Sequence, residues 1–219
     1  MPPTADDRVT TEATELLRTL IRNACVNDGS ADSGQEVRTV DALEDYFAGS
    51  GLPLERHPAA PGRVSLITRI EGRDRRAPTL LLMGHTDVVP ANPAGWTRDP
   101  FGAELVEGIV WGRGAIDMLN ITTTMAVATR RLAAPGFHPR GTLVYLAVAD
   151  EEALGTYGAG HLTAHAPEAV RADYVVTESG GTPIPTPTGP ALPLTPRVDV
   201  ESLRLSTLMW EALCRDFRG

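Results

Sequence analysis

The sequence contains no lysine; all 20 of its basic residues are arginine. That removes Schiff-base chemistry, pyridoxal phosphate attachment and the phosphate-loop lysine together. Cysteine is nearly absent. Cys25 and Cys214 stand far apart, in no metal or redox spacing, so neither a disulfide framework nor a structural zinc site is expected. Positive charge is also short: the formal net charge is −8, the wrong sign for a nucleic-acid partner. No G-x-S-x-G elbow occurs, which leaves a serine hydrolase without support. The first residues lack a basic segment followed by an apolar one, so no signal peptide is expected. The longest charge-free run late in the chain, 179–196, is rich in Pro, Gly and Thr and is no membrane span. Cysteine usage and these absences together point to the cytoplasm.

What is present has the balance of a folded domain: 42% hydrophobic and 22% charged over 219 residues. Leu16, Leu17, Leu20 and Ile21 share a helical stripe within 9–23, with Thr10 and Thr11 as candidate caps. Val37, Val40, Leu43 and Phe47 do so within 35–47. Residues 64–70, 79–84, 142–149 and 174–176 read as strands, the middle two apolar throughout, as in strands buried on both faces, and the last as a third buried strand. Glu107-Gly108 marks a hairpin between 103–106 and 109–111, and 118–132 and 155–165 read as helices. Strands alternating with helices predict an α/β protein, a three-layer sandwich around a mostly parallel sheet. From Pro183 to Pro196 proline recurs too often for helix or central strand, which predicts an extended linker. Beyond it, 198–217 is weakly helical, with Leu203, Leu208, Leu213 and Phe217 available to dock. There is no internal repeat.

In an open α/β sheet, chemistry gathers where strands end. Gly84-His85-Thr86-Asp87 follows one apolar run, Asp150-Glu151-Glu152 a second and Thr177-Glu178 a third, while Asp117 lies between the hairpin and a helix. Taken singly these are ordinary features. His-x-Asp is common in turns, Glu-Glu suits a helix start, and Asp117 could cap the helix that follows it. Together, converging ends would bring Asp117, Glu151, Glu152 and Glu178 into one cleft. Four like charges there need protons or cations, and two divalent ions would bring +4 against −4. One imidazole with several carboxylates suits zinc, cobalt or manganese.

The segments GHTDVVPA at 84–91, Trp96 to Phe101, GRGAIDM at 112–118, ADEE at 149–152 and VVTESGG at 175–181 resemble, in order and spacing, the catalytic domain of the M20 metallohydrolases. The resemblance covers about 10–181 and implies the zinc-peptidase fold. It implies that His85 and Glu178 bind a first metal, Glu152 a second, and Asp117 bridges both. Asp87 would orient His85, Glu151 would be the general base, and the peptide bond after Asp117 would be cis. The reaction implied is hydrolysis of an amide bond in a small acylated amino acid or peptide, with two zinc ions in the family and cobalt or manganese possible. Nucleic acid and membrane are not expected partners.

Two departures stand out. Leu119-Asn120 replaces the family's usual lysine, on a helix side that holds no ligand. The family's inserted lid or dimerisation domain is also missing, as is the late histidine that completes the second metal. His57, His138, His161 and His165 do not occupy that place. The expected division is therefore an incomplete catalytic domain at 8–181, then a Pro-rich linker and short helix at 182–219. Dimerisation through the lid is not expected. The chain is expected to be truncated, weakly active or inactive as given, with a non-catalytic metal-binding remnant or interaction module as the alternative.

Overall fold

The computed structural model describes residues 4–178 and 197–217. Helix α1 spans Ala5–Arg22 and begins earlier than the Thr10 and Thr11 caps suggested. Thr4 accepts from the Asp7 main chain and Asp7 answers onto Thr4, a capping box that satisfies two orphan donors at once. Thr10 and Thr11 instead donate back to the carbonyls of Asp6 and Asp7. Helix α2 follows at Val37–Phe47.

Strands β1 (Leu54–Ala60) and β2 (Arg63–Ile70) form an antiparallel hairpin. The sequence reading missed β1, because Pro58 interrupts it and its residues are mostly exposed or half-buried. Strand β3 is Leu80–His85, and a small hairpin of β4 (Glu104–Val106) and β5 (Ile109–Trp111) follows. Its turn, Glu107-Gly108, holds φ of 51° and 76°. Two left-handed residues in a row match the twist of the flanking strands.

Helix α3 (Leu119–Leu132) leads to β6 (Leu143–Val148). Short helices α4 (Ala159–His165) and α5 (Pro167–Val170) lead to β7 (Tyr174–Val176). After the residues left undescribed, β8 (Arg197–Asp199) pairs with β5, and α6 (Val200–Asp216) closes the described chain. The expected linker at 182–196 lies outside the described residues.

The main sheet has the order β1-β2-β6-β3-β7. It is parallel across β6, β3 and β7 and antiparallel where the β1–β2 hairpin joins β6. Leu66, Leu80, Leu82, Tyr145 and Ala147 face a large core shared with α1, α2, α3 and α6. Ile67, Leu81, Val144, Leu146 and Val148 face a thinner layer around Leu162 of α4. Two helical layers around one sheet explain why β3 and β6 read as continuous apolar runs. The chain moves from β3 to β6 on one side, then crosses to β7 on the other side of β3. Such a reversal opens a crevice at the carboxyl ends of these strands.

Helix α6 docks on α1 and α3, keeping Leu203 and Phe217 of the four expected residues but turning Leu213 outward. Leu203, Thr207, Trp210 and Cys214 are buried, whereas Leu213 is exposed. Steps of five residues, as from Leu203 to Leu208 to Leu213, turn about 140° around a helix each time and leave the stripe, while steps of three and four stay on it. Trp210 Nε1 donates to Thr124 Oγ1 on α3 at 3.1 Å, and Glu211 pairs with Arg131.

Candidate metal centre

His85 is the last residue of β3, and two contacts hold it from the α3 side. Thr122 Oγ1 donates to its carbonyl at 2.7 Å, and its own N–H points at Met118 Sδ at 3.4 Å. Gly84 allows this approach: a Cβ there would lie 2.5 Å from Thr122 Oγ1. Tyr145 then donates to the Thr122 carbonyl at 3.1 Å and fixes the helix to β6.

The His85 ring is buried. Its Nδ1 lies 2.9 Å from the Asp87 main-chain oxygen and 3.5 Å from the Asp87 carboxylate. A carbonyl can only accept, so Nδ1 carries a proton and Nε2 is the nitrogen turned towards the cleft. Around Nε2 stand Asp117 at 3.2 Å, Glu178 at 3.6 Å and Glu151 at 3.8 Å. Glu151 and Glu152 lie just beyond β6, Glu178 two residues beyond β7, and Asp117 just before α3. The Asp117–Met118 peptide bond is cis.

Two sets of donor atoms each fall within 4.8 Å of one another: His85, Asp117 and Glu152, and His85, Glu151 and Glu178. His85, Asp117, Glu151, Glu152 and Glu178 thus meet at one crevice. The second set contains Glu151, so distance alone admits it as a ligand as well as a base. His161 and His165 stack on each other at 4.4 Å on α4 and belong to neither set.

Asp87 is fully buried and serves more than the imidazole. Its Oδ1 accepts from Glu151 N at 3.2 Å, and its Oδ2 from Glu152 N at 3.0 Å and Asn27 Nδ2 at 2.8 Å. It therefore fixes the backbone from which both glutamates project. The sequence reading missed Asn27, and with it buried Arg63 and Glu36 behind it. None stands at an apolar strand end, and no local pattern marks them.

The charges respond to the crowding. Burial opposes the His85 cation, but hydrogen bonds to Asp117 and Asp87 and the charges of Asp87 and Glu178 outweigh it and raise the pKa to about 11. Burial foremost raises Glu152 to about 7, and Glu178 to about 7, where it also shares a hydrogen bond with Asp117. The hydrogen bond to His85 holds Asp117 below the usual range. The cluster thus retains protons where a cation would otherwise balance it, and one imidazole with several oxygen donors fits a divalent metal ion.

The sign of the pH dependence follows. A glutamate raised from 4.5 to about 7 contributes stability below 4.5 that is lost as pH rises through about 7. His85, raised from 6.5 to about 11, contributes stability below 6.5 that is lost as pH rises through about 11. Both act in one direction, so the metal-free fold weakens as pH rises from about 5. A divalent ion competes with the same protons, so the rise in melting temperature produced by zinc should grow from about pH 5.5 to about pH 8. Thermal melts with zinc and with chelator across that range check this. A zinc effect that shrinks with rising pH would contradict it.

The sequence pattern of peptidase family M20/M25/M40 matches residues 81–207. The chain belongs to this family. It is 36% identical over 149 residues to a succinyl-diaminopimelate desuccinylase from Phenylobacterium zucineum, a match that covers 67% of this chain and 36% of that protein. In fold it is similar to the M20 family metallo-carboxypeptidase Sso-CP2 from Sulfolobus solfataricus, with a TM-score of 0.60, 20% identity and coverage of 78% of this chain and 38% of that one. It also resembles a Bacillus subtilis dinuclear metal binding peptidase from the M20 family, with a TM-score of 0.54, 16% identity and coverage of 76% and 42%. The M20 chain thus spans well under half the length of these relatives. Among the described residues, no helix is long and apolar enough to cross a membrane.

Proposed function

We propose that this chain is the metal-holding part of a hydrolase that cleaves an amide bond in an N-acyl amino acid or small peptide. The observation that carries this reading is the meeting of Asp117 with His85, Glu151, Glu152 and Glu178 at the carboxyl ends of three parallel strands, in two sets whose ligand atoms each lie within 4.8 Å of one another. The desuccinylase and carboxypeptidase names of its relatives support the same reaction class.

In this reading His85, Asp117 and Glu178 hold one zinc ion, and Asp117 with Glu152 a second. Cobalt or manganese would suit the same donors. A bound divalent ion supplies Lewis-acid polarisation of the amide carbonyl and lowers the pKa of water towards about 7. Glu151, half-exposed at the cleft, takes a proton from the attacking water and delivers it to the leaving amine. Asp87 keeps Nδ1 of His85 protonated, so Nε2 offers its lone pair to the metal.

The first position has three protein ligands, the number usual for a catalytic zinc with an open place. Among the described residues the second has two carboxylates and no imidazole of its own. Titration of this chain with zinc should show one tight equivalent, with the second weaker by at least about 10- to 100-fold. Release of amino acid from N-acyl amino acids should be zinc-dependent but below the common range of about 1–10³ per second. No tight zinc would overturn the reading. Tight zinc without any hydrolysis would instead leave a metal-binding module of the same fold.

A further inference from the structure

Behind the metal centre lies a buried polar cluster that the proposed reaction does not use. Arg63 at the start of β2 is 1% exposed, Glu36 0%, Asn27 2%, Asp150 2% and Asp87 0%. Arg63 Nη1 donates to Glu36 Oε1 at 2.8 Å and lies 3.4 Å from Asp150 Oδ1. Arg63 Nη2 donates to Asn27 Oδ1 at 3.1 Å, and to the Ser30 carbonyl and Ser33 Oγ at 3.2 Å each.

Asn27 passes this orientation on. Its carbonyl faces the guanidinium, so its amide must face the other way. That amide donates to Asp87 Oδ2 at 2.8 Å and Asp150 Oδ1 at 3.0 Å. An aspartate could not make this link, because it has no N–H to give.

Asp150 is held at both ends of the residue. Its main-chain N–H donates to Glu36 Oε1 at 3.2 Å, and its Oδ2 accepts from Tyr157 N at 2.8 Å. Its φ is 64°, a left-handed conformation that a non-glycine residue keeps only when its surroundings hold it there. The next two N–H groups, of Glu151 and Glu152, are those that Asp87 accepts.

We infer that Arg63, acting through Asn27 and with Glu36 through Asp150, is a positioning residue that sets the turn at 150–152 and so aims Glu151 and Glu152 into the cleft. Two buried carboxylates, Glu36 and Asp150, meet this one guanidinium directly, and Asp87 lies one hydrogen bond further on, through Asn27; a fixed fork of several donors suits several acceptors at once. A lysine would meet one or two of them. The network ties the segment 27–36, Arg63 and Asp87 to the turn that carries the two residues whose direction decides the chemistry.

The inference rests on the metal reading above for its first readout only. Asn27→Ala removes the link without leaving a charge unpaired. The double variant Arg63→Met/Glu36→Met removes the closer ion pair whole but leaves Asp150 without its arginine, so Asn27→Ala carries the test if the double variant does not fold. Each is expected to bind the weaker zinc, the one Glu152 would hold, about 10- to 100-fold less tightly than the unaltered chain by isothermal titration, as loss of supporting hydrogen bonds usually does. The second readout needs no metal. Amide hydrogen exchange of Glu151 and Glu152 in chelator-treated protein should be at least about tenfold faster in the variants, while amides in the centre of α1 keep their protection. Unchanged zinc affinity and unchanged exchange at both glutamates, in either folded variant, would overturn the inference. If the unaltered chain takes up no zinc, the metal reading falls, and the exchange result alone decides this one.

Discussion

Asp117→Ala is expected to abolish stoichiometric zinc binding, a larger loss than from any other single ligand. Asp117 Oδ1 lies 3.2 Å from His85 Nε2, and Asp117 shares one donor set with Glu152 and a hydrogen bond with Glu178. It thus touches His85, the residue common to both donor sets, and a glutamate of each set, which supports its proposed place between the two ions. Its hydrogen bond to His85 holds it below the usual carboxylate range, whereas Glu152 and Glu178 are raised to about 7 and still carry a share of their protons at neutral pH. A residue that serves both ions costs each a direct ligand when lost. Removing mere supporting groups costs about 10- to 100-fold in affinity, and a direct, shared ligand must cost more. His161→Ala is the control, since its ring stacks on His165 and lies in neither donor set. Metal analysis after dialysis should find zinc in His161→Ala and none in Asp117→Ala. The reverse ranking would refute the site.

The elements that carry these residues were legible for a physical reason. β3 and β6 are buried apolar runs and β7 a short apolar run at the exposed edge of the sheet, and each is followed at once by polar residues. His85, Glu151, Glu152 and Glu178 stand at those transitions. Asp117 was legible by order and spacing within the resembling segments. What escaped was of two kinds. β1 and the docking face of α6 depend on tertiary neighbours: β1 is a half-exposed edge with a proline, and α6 buries Thr207 and Cys214 in place of two leucines. The cluster of Asn27, Glu36, Arg63 and Asp150 escaped because its members come from separated stretches of chain, and in sequence each resembles an ordinary surface residue. Only the fold shows that Arg63 is buried among acids rather than solvated.

Glu151→Gln and Glu152→Gln are expected to part company, although the two residues are adjacent. Both N–H groups are held by Asp87, so both backbones keep their direction when either side chain is changed. Glu152 shares a donor set with His85 and Asp117, and burial raises it to about 7, so it trades a proton for a cation readily. Glu151 Oε2 stands 3.8 Å from His85 Nε2 and its side chain is half-exposed, open to substrate and water. Glutamine keeps the size of either side chain but cannot accept a proton from water. Glu151→Gln should therefore retain the tight zinc equivalent and lower whatever hydrolysis this chain shows by about 10²- to 10⁴-fold, the usual worth of a general base. Glu152→Gln should instead loosen the weaker zinc. Zinc titration and hydrolysis of an N-acyl amino acid, measured on both variants, separate the roles. Loss of the tight zinc in Glu151→Gln, with zinc binding unchanged in Glu152→Gln, would assign Glu151 as the ligand, as its place in the second donor set allows.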